Sequence, residues 1–303
     1  MRFSIIIPTC NRPQELKACL EAIGSLLEQV TDEAVEVVVT DDGRRQPVTY
    51  AHVREFPWVK LVEGPRKGPA ANRNFGASMA SGEILVFLDD DCIPKPNFLL
   101  GYIEFWKAYN GNFEMVVAYG PTIPIGEKKS LLYEAPDNSN GTTLISANFS
   151  ISKDSLVRIG CFDERYMTAA FEDTEFFERF RRLGGTAFYL ESVAVQHPYR
   201  KIPNPKSLAA KWESNVIYAF DQGANRWPLY YRFPWHVIRV IISRFRGESL
   251  SIQNVHAAMM FLGEWFWVLV FTPKWIAKWA KREPSGFWKQ QQTEGAPIPK
   301  HGL

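Results

Sequence analysis

The stretch Ile84-Leu85-Val86-Phe87-Leu88-Asp89-Asp90-Asp91-Cys92 decides the fold. Its unbroken apolar run, rich in branched and aromatic side chains, reads as a strand buried on both faces, as in a parallel sheet. Three adjacent carboxylates would repel one another inside a core, so they belong where the strand leaves it. That is the carboxyl edge, where open α/β sheets bind their ligands. Clustered carboxylates there suit a hard divalent cation such as Mg²⁺ or Mn²⁺. A solvated acidic turn is the plain alternative, and the neighbouring sequence has to choose.

Upstream, Phe3–Ile7 reads as a first strand and Pro8-Thr9-Cys10-Asn11-Arg12-Pro13 as a loop. Pro13 suits a helix start, and Leu16, Cys19, Leu20 and Ile23 recur at helical spacing. Val35–Thr40 is a second strand, closing on Asp41-Asp42-Gly43, and Val59–Val62 a short third. A basic loop, Gly64–Gly68, carries Arg66 and Lys67, and a helix from Pro69 to about Ala80 carries Asn72, Arg73 and Asn74. Strands alternating with helices predict an α/β sheet with parallel strands. Right-handed crossovers bring the strand ends to one edge, so Asp41-Asp42 and Asp89-Asp90-Asp91 should face one crevice, where a nucleotide is expected.

The chain has 303 residues with 46% hydrophobic content, enough for a sizeable core. Its net charge of +2 hides an asymmetry: residues 1–199 are acidic by 7 and residues 200–303 basic by 9. A basic tail implies an anionic surface, and its Trp and Phe content favours membrane lipid over nucleic acid. Cys10, Cys19, Cys92 and Cys161 form no CxxC pair, so neither a disulfide framework nor a zinc site is expected, and a reducing cytosolic compartment is. The start, MRFSIIIPTC, reads as a strand rather than a signal peptide.

SIIIPTCNRP, VVVTDDG, GPAANRNFG and ILVFLDDDC, in that order, resemble the nucleotide-binding half of family 2 glycosyltransferases of the GT-A fold. The likeness continues through Ser146–Ser150, Gly160-Cys161-Phe162-Asp163-Glu164 and Phe171-Glu172-Asp173, covering roughly residues 1 to 200. It implies a mostly parallel central sheet flanked by helices. Residues 1–205 would form the catalytic domain, with 1–95 as the nucleotide-binding half and 96–205 as the acceptor half. Residues 206–283 would be an aromatic, basic helical extension, and 284–303 a flexible tail.

The activity implied is inverting, metal-dependent transfer of a sugar from a nucleotide sugar, a UDP-sugar in most relatives, to a hydroxyl of a glycan or lipid-linked glycan. Such a reaction needs a cation for the leaving diphosphate and a general base for the acceptor hydroxyl. By resemblance, Asp89 faces the ribose or the metal, Asp91 binds the metal, and Asp90 at the middle of the triplet is solvated and tolerant of change. Pro8, Thr9 and Arg12 correspond to the nucleotide-contact loop, Asp41 and Asp42 to the nucleobase loop, and Lys67 and Arg73 supply positive charge. Asn148 contacts the donor sugar, His197 completes the Mn²⁺ or Mg²⁺ site, Asp173 is the general base and Glu172 assists it.

Each of these residues has a structural alternative. Asp41-Asp42-Gly43 can be a turn, Arg12 a surface residue, Arg73 part of a surface salt bridge, Asp173 a helix N-cap, Asn148 a satisfied buried amide, and His197 a polar residue after the strand-like run Val193–Val195. A nucleotidyltransferase would share the sheet and carboxylates, but it needs a glycine-rich loop after the first strand, and PTCNRP has no glycine. A catalytically silent scaffold would lack the acids, which are present. Near the end, Ala257–Thr272 is apolar except for Gly263, Glu264 and Thr272. At 16 residues it is short for a span of about 20. It reads as a helix at a membrane interface or one packing on the core or a second subunit.

Overall fold

The computed structural model describes residues 1–294 apart from 110, 112 and 248–250, with backbone alone at 291–294. In chain order the elements begin β1 (Arg2–Thr9), α1 (Pro13–Leu27), β2 (Ala34–Asp41), α2 (Tyr50–Val53), β3 (Val59–Glu63), α3 (Pro69–Met79) and β4 (Ile84–Leu88). Then come β5 (Ile93–Pro94), α4 (Phe98–Ala108), β6 (Val116–Tyr119), β7 (Thr122–Ile125), β8 (Tyr133–Glu134), β9 (Asn148–Ser152), α5 (Lys153–Ile159) and α6 (Glu172–Arg182). The rest are β10 (Thr186–Tyr189), β11 (Val195–Pro198), β12 (Arg200–Lys201), α7 (Pro205–Lys211), α8 (Glu213–Asp221), α9 (Arg226–Ser243), α10 (Ile252–Trp279) and α11 (Gly286–Glu294).

Seven strands form the main sheet in the order β10-β6-β9-β4-β1-β2-β3. β1 pairs in parallel with both β2 and β4, β2 with β3, and β6 with β10, while β9 runs antiparallel between β4 and β6. The central strands are buried on both faces, which is why they read as apolar runs rather than alternating ones. Their pleat divides two cores. Ile5 and Ile7 point with Val37, Val39, Val86 and Leu88 toward Leu16, Leu20 and Tyr102 of α1 and α4. Ile6 points with Val38, Leu85 and Phe87 toward Ala70, Phe176 and Phe180 of α3 and α6. The architecture is the α/β fold expected from the sequence: a mostly parallel sheet flanked by helices and followed by a helical C-terminal segment.

β1 lies between β4 and β2, so Thr9, Asp41 and the triplet after Leu88 come out side by side at one carboxyl edge. The chain order reverses here, from β1 toward β2 and β3 on one side and β4 on the other, which is where doubly wound sheets open a crevice. A three-stranded sheet, β5-β11-β7, carries His197 within β11. The sequence placed His197 after a strand; Val193 and Ala194 instead precede that strand, and it runs through the histidine.

The chain divides into two compact units. One comprises Met1–Gly126, Ala135–Met167 and Glu172–Pro198; the other comprises Glu127–Glu134, Thr168–Phe171 and Tyr199–Leu303. The second unit is helical, with α10 packed against α7, α8 and α9. Gly286–Glu294 is a helix with Trp288 fully buried, in a region the sequence read as a flexible tail; residues 295–303 lie outside the described residues. The apolar run Ala257–Thr272 sits inside a helix of 28 residues, so the argument that it is too short for a membrane span does not hold.

Candidate active site

Asp89, Asp90 and Asp91 follow β4, and their environments separate them. Asp89 accepts from Arg73 Nη2 at 2.8 Å. Burial alone would raise its carboxyl, but the Arg73 guanidinium outweighs burial and, with Arg12 and His197, holds it below the usual carboxylate range. Asp90 is fully buried. It accepts from Thr9 Oγ1 at 2.6 Å and faces Arg12 Nη2 at 2.9 Å. The expectation of a solvated, tolerant middle acid is therefore overturned, because this carboxylate ties the end of β1 to the end of β4.

Asp91 lies 2.9 Å from His197 Nε2 and 3.6 Å from Arg12 Nη1. The other ring nitrogen, Nδ1, sits 2.8 Å from the Pro198 carbonyl oxygen. A carbonyl only accepts, so Nδ1 carries the hydrogen. Burial lowers the imidazole pKa and favours the neutral ring, whose Nε2 lone pair then faces a carboxylate oxygen. A cation shared between that nitrogen and that oxygen would satisfy both. Among the described residues no three His, Cys, Asp or Glu side chains are grouped to hold a metal alone. The donor set therefore suits an ion that also takes oxygens from a bound phosphate, as Mg²⁺ does.

Asp173 and Glu172 open α6. Glu172 is buried and accepts from Arg73 Nη1 at 3.1 Å. Burial and the Asp173 charge raise its carboxyl to about 7, against the opposing pull of Arg73. Asp173 lies in the first helical turn rather than at an N-cap, since the helix already begins at Glu172. It is half-buried, accepting from Thr174 N–H at 2.8 Å and Ser146 N–H at 3.4 Å. Burial also raises its carboxyl. One arginine thus joins the acid after β4 to the acid pair on α6. Arg73 is itself buried and far from the surface role held open for it.

The β2 acids brace loops. Asp41 accepts from Gly43 N–H at 2.8 Å and Val48 N–H at 2.7 Å; Asp42 accepts from Arg66 N–H at 2.7 Å and Gly68 N–H at 3.2 Å. Asp42 also lines a cavity of about 710 Å³, together with Asn11, Arg44, Arg45 and Arg66. Asp41 is not part of that lining. Pro8 is buried within β1, opposite Thr40, while Lys67 is exposed on its loop.

Asn148 is corrected outright. It is fully buried, accepting from Tyr102 Oη at 2.7 Å and donating to the Pro121 and Val193 carbonyls at 3.0 and 2.7 Å. Its full burial keeps it out of reach of a sugar. Sequence reasoning missed Asn11 and Asn72. Asn11, at φ 56, accepts three consecutive backbone N–H groups, from Arg44, Arg45 and Gln46, at 2.7–3.0 Å. Asn72 donates to the Thr40 carbonyl at 2.9 Å and the Thr9 carbonyl at 3.3 Å, clamping two strand ends. An asparagine in a tight turn before a proline was the available signal for the first; the second had none.

The sequence profile of glycosyl transferase family 2 matches residues 4–156, just over half the chain. The chain belongs to glycosyl transferase family 2. It is 38% identical over 88 residues to an uncharacterized glycosyltransferase of Haemophilus influenzae, covering 29% of each protein, so it spans less than a third of that relative. It is 27% identical over 214 residues to glycosyltransferase AglE of Haloferax volcanii, covering 65% of this chain and 67% of AglE. Among solved structures it resembles S. aureus TarS 1-349, with a TM-score of 0.53 at 17% identity over 97% of this chain and 92% of that one. The fold is GT-A and the protein is a glycosyltransferase, which sets aside the nucleotidyltransferase reading.

Proposed function

We propose that this glycosyltransferase is an inverting, metal-dependent enzyme that moves a sugar from a nucleotide sugar, a UDP-sugar, to a hydroxyl of a glycan or lipid-linked glycan. The observation that carries the reading is Arg73, 2.8 Å from Asp89 and 3.1 Å from Glu172, which joins the strand-end acids and the α6 acids into one cluster. TarS has been solved in complex with UDP-GlcNAc, and this likeness favours a UDP-linked donor.

The cavity beside Asp42 would receive the nucleoside, its 710 Å³ lying within the range of ligand pockets. Asp91 and His197 would hold Mn²⁺ or Mg²⁺ together with oxygens of the donor's diphosphate, with Asp89 beside them on Arg73. When bound, that ion supplies charge to the departing diphosphate. Arg12, beside Asp90 and Asp91, adds a second positive group. Asp173 takes the acceptor hydroxyl proton as that oxygen attacks C1 and the bond from C1 to the diphosphate breaks. A carboxyl raised by burial suits this task, because its basicity then lies closer to neutral pH. Glu172, held by Arg73, positions the base. The four free cysteines and the basic C-terminal region fit a cytoplasmic protein peripheral to the inner face of a membrane.

A nucleotide-sugar panel read by thermal stabilisation with and without Mn²⁺ identifies the donor. On that donor, Asp173→Asn should cut transfer about 10²–10⁴-fold while donor affinity stays at the wild-type value. Asp91→Ala should instead remove the metal dependence of nucleotide binding. Wild-type turnover in the first variant, or an unchanged metal titration in the second, would refute the assignment.

A further inference from the structure

We infer that α9 and α10 form a face that docks in the plane of an anionic bilayer. α10 is apolar on two opposite sides. Ala257, Phe261, Glu264, Val268, Thr272, Trp275 and Trp279 form its buried side, toward α7, α8 and α9. At about 100° per residue, Ile252, Val255, Met259, Leu262, Phe266 and Leu269 form a second stripe on the far side. All six are exposed. No exposed residue between Ala257 and Pro273 is charged.

α9 presents a stripe of a different composition. Trp227, Tyr231, Trp235 and Ile242 are each more than half exposed on one side. Arg232 and Arg239 follow seven residues apart along the flank of that stripe, and Arg246 lies in the turn just past α9, all exposed. Among the described residues none of the three arginines is in a salt bridge with an acid. Trp265 Nε1 donates to the Pro234 carbonyl at 3.0 Å, and both exposed stripes border this contact on their own helices.

The composition selects the occupant. Exposed Trp and Tyr beside exposed arginines match the level of lipid headgroups, where rings sit at the boundary and guanidinium groups reach phosphate. An apolar stripe of this length on a protein surface marks an interaction site. The orientation follows from the buried side. Glu264 accepts from Trp212 Nε1 at 2.7 Å and faces Arg244 Nη1 at 2.9 Å, which fixes the roll of α10. Lys278 and Glu213 pair at 2.7 Å at its other end. A membrane-spanning α10 would either break these pairs or carry α7 and α8 with their charges into hydrocarbon, which is costly. An in-plane helix immerses the Met259–Phe266 stripe alone.

This deepens the membrane contact proposed above and rests on that reading only for the nature of the acceptor. Vesicle binding and sugar transfer are measured separately, so either can fail alone. The full chain should float with vesicles of equimolar phosphatidylcholine and phosphatidylglycerol, bind them more weakly as salt is raised, and bind pure phosphatidylcholine at least about tenfold more weakly. Replacing Arg232, Arg239 and Arg246 together with Gln should weaken binding about a hundredfold, at about fivefold per arginine. Met259→Glu with Phe266→Glu should abolish flotation while metal-dependent nucleotide binding is unchanged. Variants that float like wild type overturn the proposal. So does resistance to carbonate extraction, which would mean a span. A concentration-dependent dimer that dissociates in the Met259→Glu, Phe266→Glu variant, without vesicle binding, would assign the face to a second copy.

Discussion

Asp90 is the middle acid of the triplet, and it has no contact with solvent. It holds Thr9 Oγ1 at 2.6 Å and Arg12 at 2.9 Å. Asp90→Ala should therefore cost about 1–3 kcal/mol in urea unfolding, whereas a solvated acid would cost nothing measurable. Asp90→Asn, which can still accept from Thr9, should recover part of the loss. Glu172 and Asp173 make a second prediction. Burial raises both carboxyls, and in Glu172 the Asp173 charge adds to it. The folded protein then holds protons that the unfolded chain releases. The stability from Glu172 is complete below its ordinary value of 4.5 and is lost as pH rises through about 7. The rate of transfer should rise with pH along an acid limb above the ordinary carboxylate range, as Asp173 loses its proton. Glu172→Gln should move the limb to lower pH and flatten the fall in thermal midpoint across the same window. Both readouts are a pH series on one enzyme preparation. Residue types at these positions were legible from the sequence; the partners that separate Asp90, on Thr9, from Asp91, beside His197, and the burial that closes Asn148 were not.

At the scale of elements, helix starts were legible because proline marks them: Pro13 opens α1 and Pro69 opens α3. β1, β2 and β4 were legible because burial on both faces leaves no alternation to confuse. β10 was not, since Thr186 and Ala187 are exposed and the strand has no apolar run. α3 carries its own test. Gly76 faces β1 and β2, where an added Cβ would stand 2.6 Å from Ile6 Cγ2 and 3.2 Å from Thr40 Cγ2. In a free helix Gly→Ala gains up to about 1 kcal/mol. Here overpacking of about 1–3 kcal/mol wins, so Gly76→Ala should lower stability in guanidinium unfolding by on the order of 1 kcal/mol. The same helix reaches the opposite way through Asn74. It donates to the Phe162 carbonyl and accepts from the Phe162 N–H, both at 2.9 Å, which gives the Gly160–Glu164 motif a structural reason.

Across the whole molecule, Arg73 reaches 99 positions along the chain to Glu172. Arg73→Met should cost about 3–5 kcal/mol, because the sealed Glu172 would lose its partner where water does not replace it, and the partly exposed Asp89 would lose its closest cation. A surface pair would cost less than about 1 kcal/mol, so equilibrium unfolding decides between the two. The sequence alone determined the parallel sheet, the edge at which its acids emerge, the family, and a basic, aromatic C-terminal region. All of these follow from local order: apolar runs, prolines, and charges counted along the chain. The tertiary structure decided which acids are sealed and which face the crevice, that one arginine serves two motifs, that Asn148 is a closed amide, and that α10 keeps one apolar face uncovered. These depend on which distant segments pack together. Packing sets burial, burial sets whether a carboxylate is a brace, a base or a ligand, and no spacing along the chain records it.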